Sequence, residues 1–169
     1  NFQESFQKAI RSMENGLFGL SKILKDNEGN GALKLELSTP GEKRLWYIAD
    51  AFRRGWSMEE IFVSCKVDRW FLHQIKEIID LEKQIEEIGL SQIDKNFMLQ
   101  LKKKGFADAR IANLLNMSEE DVRNHRYNLD VHPVFKRVDS CSAEFDSTTN
   151  YLYSTYDEEN ESEVSENKK

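Results

Sequence analysis

The sequence predicts an all-α fold, an irregular array of short helices in which a helix-turn-helix-like unit occurs twice. Three observations carry that expectation. Apolar residues recur at three- and four-residue spacing, the period of one helical face. Capping residues stand where those stretches begin, and glycines where they stop. Two prolines and eight glycines interrupt 169 residues, while ten Phe and three Trp supply bulk for a core.

The elements follow in order. Phe2, Phe6, Ile10, Met13 and Leu17 share one helical face, which Asn15-Gly16 ends. A connector with Leu17, Phe18, Leu20, Ile23 and Leu24 leads into the polar turn 26–31. Thr39-Pro40-Gly41-Glu42 reads as a capped helix start for Leu45, Ile48, Ala49 and Phe52, with Gly55 as its stop. Ser57 and Glu60 form a second capping box ahead of Ile61. Asp68 caps a longer helix that carries Phe71, Leu72, Ile75, Ile78, Ile79 and Ile85 to Gly89. Ser91 or Asp94 starts the next, which ends in Lys102-Lys103-Lys104-Gly105, cations against the negative end of the dipole. Ile111, Leu114 and Leu115 mark a short helix, and Ser118 caps the last. Pro133 closes the helical region. Residues 134–156 read as extended or irregular. Trp46, Phe52, Ile61, Phe71, Leu72, Ile75, Leu101, Ile111, Leu115 and Val122 are the expected core.

Residues 53–75 repeat in 103–125 without a gap. Arg53-Arg54-Gly55 matches Lys103-Lys104-Gly105, Trp56 matches Phe106, Ile61 matches Ile111, and the caps Asp68 and Ser118 coincide. Two copies of one supersecondary unit are expected to pack on each other.

Composition narrows the function. The net charge of −6 weighs against broad nucleic-acid or anionic-membrane binding. No apolar run approaches the ~18 residues of a membrane span. Cys65 and Cys141 are far apart and form no C-x-x-C pair, so a reducing, cytoplasmic setting is expected. No phosphate loop occurs, and His73, His125 and His132 lack metal-ligand spacing. Cys141 has no base marked for it in the sequence, and a buried structural thiol is the commoner role. We therefore expect no catalytic, cofactor or metal residue in this chain. Ile111 to Val122 offers an alternative, a standalone helix-turn-helix DNA-binding regulator. Its reading helix would lead with Glu119, Glu120 and Asp121, three carboxylates toward a phosphate-lined groove.

Several stretches then point to a family. They are Ser5-Phe6-Gln7-Lys8-Ala9, residues 46–53 (WYIADAFR), 68–72 (DRWFL), 101–110 (LKKKGFADAR), 136–145 (KRVDSCSAEF) and 151–156 (YLYSTY). In this order they resemble the middle region of the carbamoyl-phosphate synthase large chain, over nearly the whole sequence. The resemblance implies an all-helical connecting and oligomerisation domain between two ATP-grasp synthetase halves. Residues 1–15 would be the helical tail of the first half and 16–156 the domain. Residues 157–169 would be an acidic linker towards the second half, too polar to offset its chain entropy by burial. The parent enzyme, a ligase of pyrimidine and arginine synthesis, would use ATP with Mg or Mn ions. It would combine bicarbonate with ammonia released from glutamine by a small glutaminase subunit. The implied partners are a second copy, the two synthetase halves and that subunit, with no nucleic acid and no membrane.

Given an oligomerising role, the connector is the expected self-interface. Leu17, Phe18, Leu20, Ile23 and Leu24 form an apolar run without the caps of a core helix, and such a cluster needs a cover. A two-fold contact would bring the same patch together from each chain.

Overall fold

A helix begins where a side chain takes up the free N–H groups of its first turn. The computed structural model describes residues 1–25, 27–139, 144 and 151–162, and these form eight α-helices, five of them opened by such a cap. Asn1 caps α1 (Phe2–Ser12) by accepting from the Glu4 N–H. Helix α2 spans Asn30–Ser38 and α3 Arg44–Arg53. The Ser57/Glu60 box opens α4 (Met58–Cys65), and Asp68 opens α5 (Arg69–Ile88). After a 3₁₀ turn at Leu90–Gln92, Asp94 caps α6 (Lys95–Lys103). Then come α7 (Asp108–Leu115) and α8 (Glu119–Asn128), the latter capped by Ser118. Two short strands, β1 (Val134–Arg137) and β2 (Leu152–Thr155), pair antiparallel with Val134 opposite Thr155. The chain is all-α in class, with this one small ribbon among the described residues.

Helix α5 is the hub. Leu72, Ile75, Ile78, Ile79, Glu82 and Ile85 recur at helical spacing and are buried, and α1, α3, α4 and α7 pack around them. Phe71 departs from the expected core. It lies about 100° around the helix from Leu72 and is 44% exposed. Phe52 and Leu115 are half-buried, and the other seven expected core residues are buried.

Helix α2 is an addition to the sequence reading, which placed no element there. It buries Leu33 and Leu37 against α3 and α4 and has no side-chain cap. Thr39, read as an N-cap, instead closes α2: its hydroxyl donates to the Leu35 carbonyl at 2.9 Å. Helix α3 starts at Arg44, after Pro40 and a backbone turn from Gly41 to Arg44.

The stretches aligned by sequence also share backbone features. Helix α4 (58–65) and helix α7 (108–115) have the same length at a shift of 50. Each is followed by a left-handed residue, Lys66 at φ 56° and Asn116 at φ 53°, and each is preceded by a positive-φ glycine, Gly55 and Gly105. Ser57 caps α4 through its side chain, whereas Ala107 cannot cap α7. Helix α5 is twice as long as α8, with 20 residues against 10.

A buried polar cluster closes the end of the helical region. Asp108 accepts from Lys102 Nζ at 2.8 Å and from Arg126 at 2.9 Å, while Arg126 also donates to the Val131 carbonyl. Burial alone would raise the Asp108 carboxyl, but the Arg126 hydrogen bonds and the Lys102 ammonium outweigh it and hold it low. The same burial lowers Lys102, so the carboxylate is the member whose charge the cluster favours. A carboxyl depressed in the fold stabilises it above the unfolded pKa of about 3.9, and that contribution is lost as pH falls through the lower folded value. Asp108→Asn should therefore flatten the fall in stability below pH ~4, as followed by circular dichroism. An unchanged acid limb would show that Asp108 does not drive it.

The acidic stretch beyond Tyr156 begins by folding back. Along β1, Asn160 accepts from the Phe135 N–H, and Glu161 accepts from the Arg137 N–H at 2.7 Å. These contacts satisfy backbone groups on an otherwise open strand edge. Cys141, Ser140 and residues 163–169 lie outside the described residues.

Candidate interaction surface

The connector between α1 and α2 has no regular backbone, so its polar groups need partners from elsewhere. Residues far along the chain provide them. The Asp50 carboxylate accepts from the Ile23 N–H at 3.0 Å and the Leu24 N–H at 2.8 Å. The Trp46 indole donates to the Gly19 carbonyl at 2.9 Å. Arg53 donates to the Leu20 carbonyl, to Asp50 at 2.7 Å and to Glu82 at 2.6 Å. Arg110 donates to Glu82 at 2.7 Å, to the Leu20 carbonyl at 3.3 Å and to Ser21 and Asn113.

Two carboxylates and two guanidiniums thus balance in a buried network that straps the connector to α3, α5 and α7. The sequence reading missed this network. One signal was present: Glu82 stands in the apolar register of α5, and a carboxylate at a core position calls for a buried cation.

The strap sorts the five expected interface residues. Leu20 is 0% exposed and Leu24 3%, both in the chain's own core. Leu17 and Ile23 are half-buried against that core. Phe18 is left 51% exposed. With Leu17 it lines a cleft of about 460 Å³ whose other walls include Gln7, Arg11, Ala107 and Arg110. The structure brings Leu17 and Phe18 to one surface and turns Leu20 and Leu24 away from it. The reason is the backbone strap, which holds residues 20–24 inward by their peptide groups.

The DNA-binding alternative is not supported. Arg126 is buried and committed to Asp108, and Arg123 is paired with Glu119 at 2.6 Å. The exposed start of α8 therefore presents Glu119, Glu120 and Asp121, which repel a phosphate backbone. The histidines serve local contacts: His125 meets the Ile93 carbonyl, His73 neighbours Glu77, and His132 stacks on Tyr127. Among the described residues, no group of three or more His, Cys, Asp or Glu is placed to hold a metal ion. No described helix is long and apolar enough to cross a membrane.

The family described as "Carbamoyl-phosphate synthetase large chain, oligomerisation domain" matches residues 1–130. This chain belongs to that carbamoyl-phosphate synthetase family. Relatives named carbamoyl phosphate synthase large chain extend the likeness almost end to end. The one from Pseudomonas syringae pv. tomato is 51% identical over 166 residues, 97% of this chain. Those from Neisseria meningitidis serogroup B and Vibrio vulnificus are 50% and 43% identical over 99% and 100% of it. The chain spans 16% of the Pseudomonas relative, about a sixth of its length. Within the carbamoyl-phosphate synthetase family, then, this sequence corresponds to the oligomerisation domain rather than to a whole large chain.

Proposed function

We propose that this chain acts as the non-catalytic connecting and oligomerisation domain of a glutamine-hydrolysing carbamoyl-phosphate synthase. The observation that carries the reading is the match to large-chain relatives at 43–51% identity over nearly all of its length. In the parent protein, residues 1–15 continue from the first synthetase half, 16–156 form the domain, and 157–169 lead towards the second half. The parent, a cytoplasmic ligase, makes carbamoyl phosphate from bicarbonate, ATP and ammonia supplied by a glutaminase subunit. ATP and Mg or Mn ions are held by the synthetase halves. This chain contributes no ligand for them, and its part is to hold the halves in register and join copies.

The self-contact is centred on Phe18 and the Leu17 cleft. A bulky aromatic beside an open apolar-walled cleft is the anchor-and-pocket arrangement that dominates many interfaces. A two-fold axis would place Phe18 of each copy against its partner. Phe18→Asp in the full large chain is expected to shift sedimentation towards the smaller species. Helix content should stay the same, because Phe18 is exposed within its own chain and such substitutions usually cost within ~0.5 kcal/mol. ATP-dependent carbamoyl phosphate formation from bicarbonate and ammonia should persist. Lost activity with the assembly intact would refute the division of labour, and an unchanged assembly would refute the Phe18 contact.

A further inference from the structure

Four aromatic rings gather where the start of α1 meets the start of α5. The Phe2 centroid lies 5.5 Å from Phe6, 4.9 Å from Trp70 and 5.6 Å from Phe71, and Trp70 stands edge-on to Phe71 at 5.0 Å. These are attractive aromatic geometries. Even so, Trp70 is 52% exposed and Phe71 44%. Adjacent large apolar side chains left open together mark a contact surface rather than scattered surface residues. The sequence pattern expects Phe71 to be covered, and the described chain does not cover it.

The start of α1 is also anchored. The Asn1 side chain caps the helix and donates to the Lys103 carbonyl at 2.8 Å. Gln3 donates to Glu77 of α5, and Gln7 donates to the Lys104 carbonyl at 2.8 Å. Gly105 makes this approach possible, since a Cβ there would stand 2.9 Å from the Glu4 Cα. The chain therefore enters the domain from a fixed point, and the second residue in belongs to the aromatic cluster.

We infer that the surface formed by Phe2, Trp70 and Phe71 is the seat of the parent polypeptide that immediately precedes residue 1. This rests on the functional reading above, in which the chain lies inside a longer large chain. Three arguments select that occupant. About five-sixths of the Pseudomonas relative lies outside the matched region, and the functional reading puts one synthetase half ahead of residue 1. Two or three extended residues reach about 7–10 Å, enough to cross the patch from Asn1. A short tether sets an effective concentration in the millimolar range, so the attached segment outcompetes free partners at micromolar levels. The occupant is apolar at its centre, to meet the rings, and polar at its edge. There the rim offers His73, Glu77 and the Arg69–Glu59 ion pair.

Hydroxyl-radical footprinting of the intact large chain tests this. Trp70 and Phe71 should oxidise several-fold more slowly than exposed aromatic residues, in the large chain alone and independently of dilution. Oxidation at the exposed rate overturns the inference. So does protection that vanishes on dilution, which assigns the surface to a second copy. Protection seen only with the glutaminase subunit also overturns it. Trp70→Ser combined with Phe71→Ser changes exposed side chains, so helix content should hold while protease cleavage just before residue 1 accelerates several-fold. Unchanged cleavage would also sink the idea. Carbamoyl phosphate synthesis is measured separately. An active wild-type chain with unprotected rings removes this inference alone, and an inactive one with protected rings removes the functional reading alone.

Discussion

Truncating Glu82 to alanine should destabilise the chain by about 3–5 kcal/mol, seen as a lower urea midpoint with little change in slope. Glu82 is almost fully buried in the hub helix and accepts from both Arg53 and Arg110. Its loss leaves Asp50 as the one remaining carboxylate of the network, and Asp50 pairs with Arg53, so Arg110 loses its counter-charge. An uncompensated buried charge is worse than either the intact pair or an apolar replacement of both members. Glu82→Leu combined with Arg110→Met should therefore recover part of what Glu82→Ala loses. The two guanidiniums also hold the Leu20 carbonyl, so the connector should loosen with the network. Faster amide exchange at Ile23 and Leu24 would report this before global unfolding. A loss below ~1 kcal/mol would place Glu82 in a solvated site, outside the range expected for a buried ion.

Leu24→Glu should be at least as damaging, and it should act by unfolding rather than by dissociating copies. Leu24 is 3% exposed, and its N–H is held by Asp50. A carboxylate placed there loses much of its hydration and meets the Asp50 carboxylate that already holds the Leu24 N–H, while the nearest bonded guanidinium, Arg53, is engaged with Asp50 and Glu82. The cost of such a buried unpaired charge is about 3–5 kcal/mol. Relief by protonation would make the variant relatively more stable at acid pH than at neutral pH. Circular dichroism at pH 7 should show lost helix, in contrast to Phe18→Asp. A well-folded, dissociated Leu24→Glu chain would mean that residue 24 faces a partner after all.

Much of this was legible along the chain. The Ser57/Glu60 box, the caps Asp68, Asp94 and Ser118, and the stops at Gly55 and Gly105 occur where the sequence signals them. These signals work because capping joins residues within one turn of each other, so the sequence holds both partners side by side. The start assigned to Thr39 and the absence of any element at 30–38 show the limit. A Thr hydroxyl can close the preceding helix as readily as open the next, and α2 depends on burying Leu33 and Leu37 rather than on a cap.

The candidate surface was less legible. Along the sequence the connector is a continuous apolar patch, yet Leu20 and Leu24 belong to the core. What turns Leu20 inward is Arg53 and Arg110, 33 and 90 residues further on, and what turns Leu24 inward is Asp50, 26 residues further on. Phe71 shows the converse: its helix supplies an apolar neighbour on each side, but its direction around α5 carries it off the packed face.

The family, the phase of most helices and the side-chain caps of five of them are legible along the chain, because these rest on identity in order or on contacts within a single turn. The tertiary structure decided which apolar side chains are buried and which remain for a partner. That choice rests on long-range hydrogen bonds and ion pairs, and on the angle at which each residue leaves its helix, which sequence spacing alone does not set.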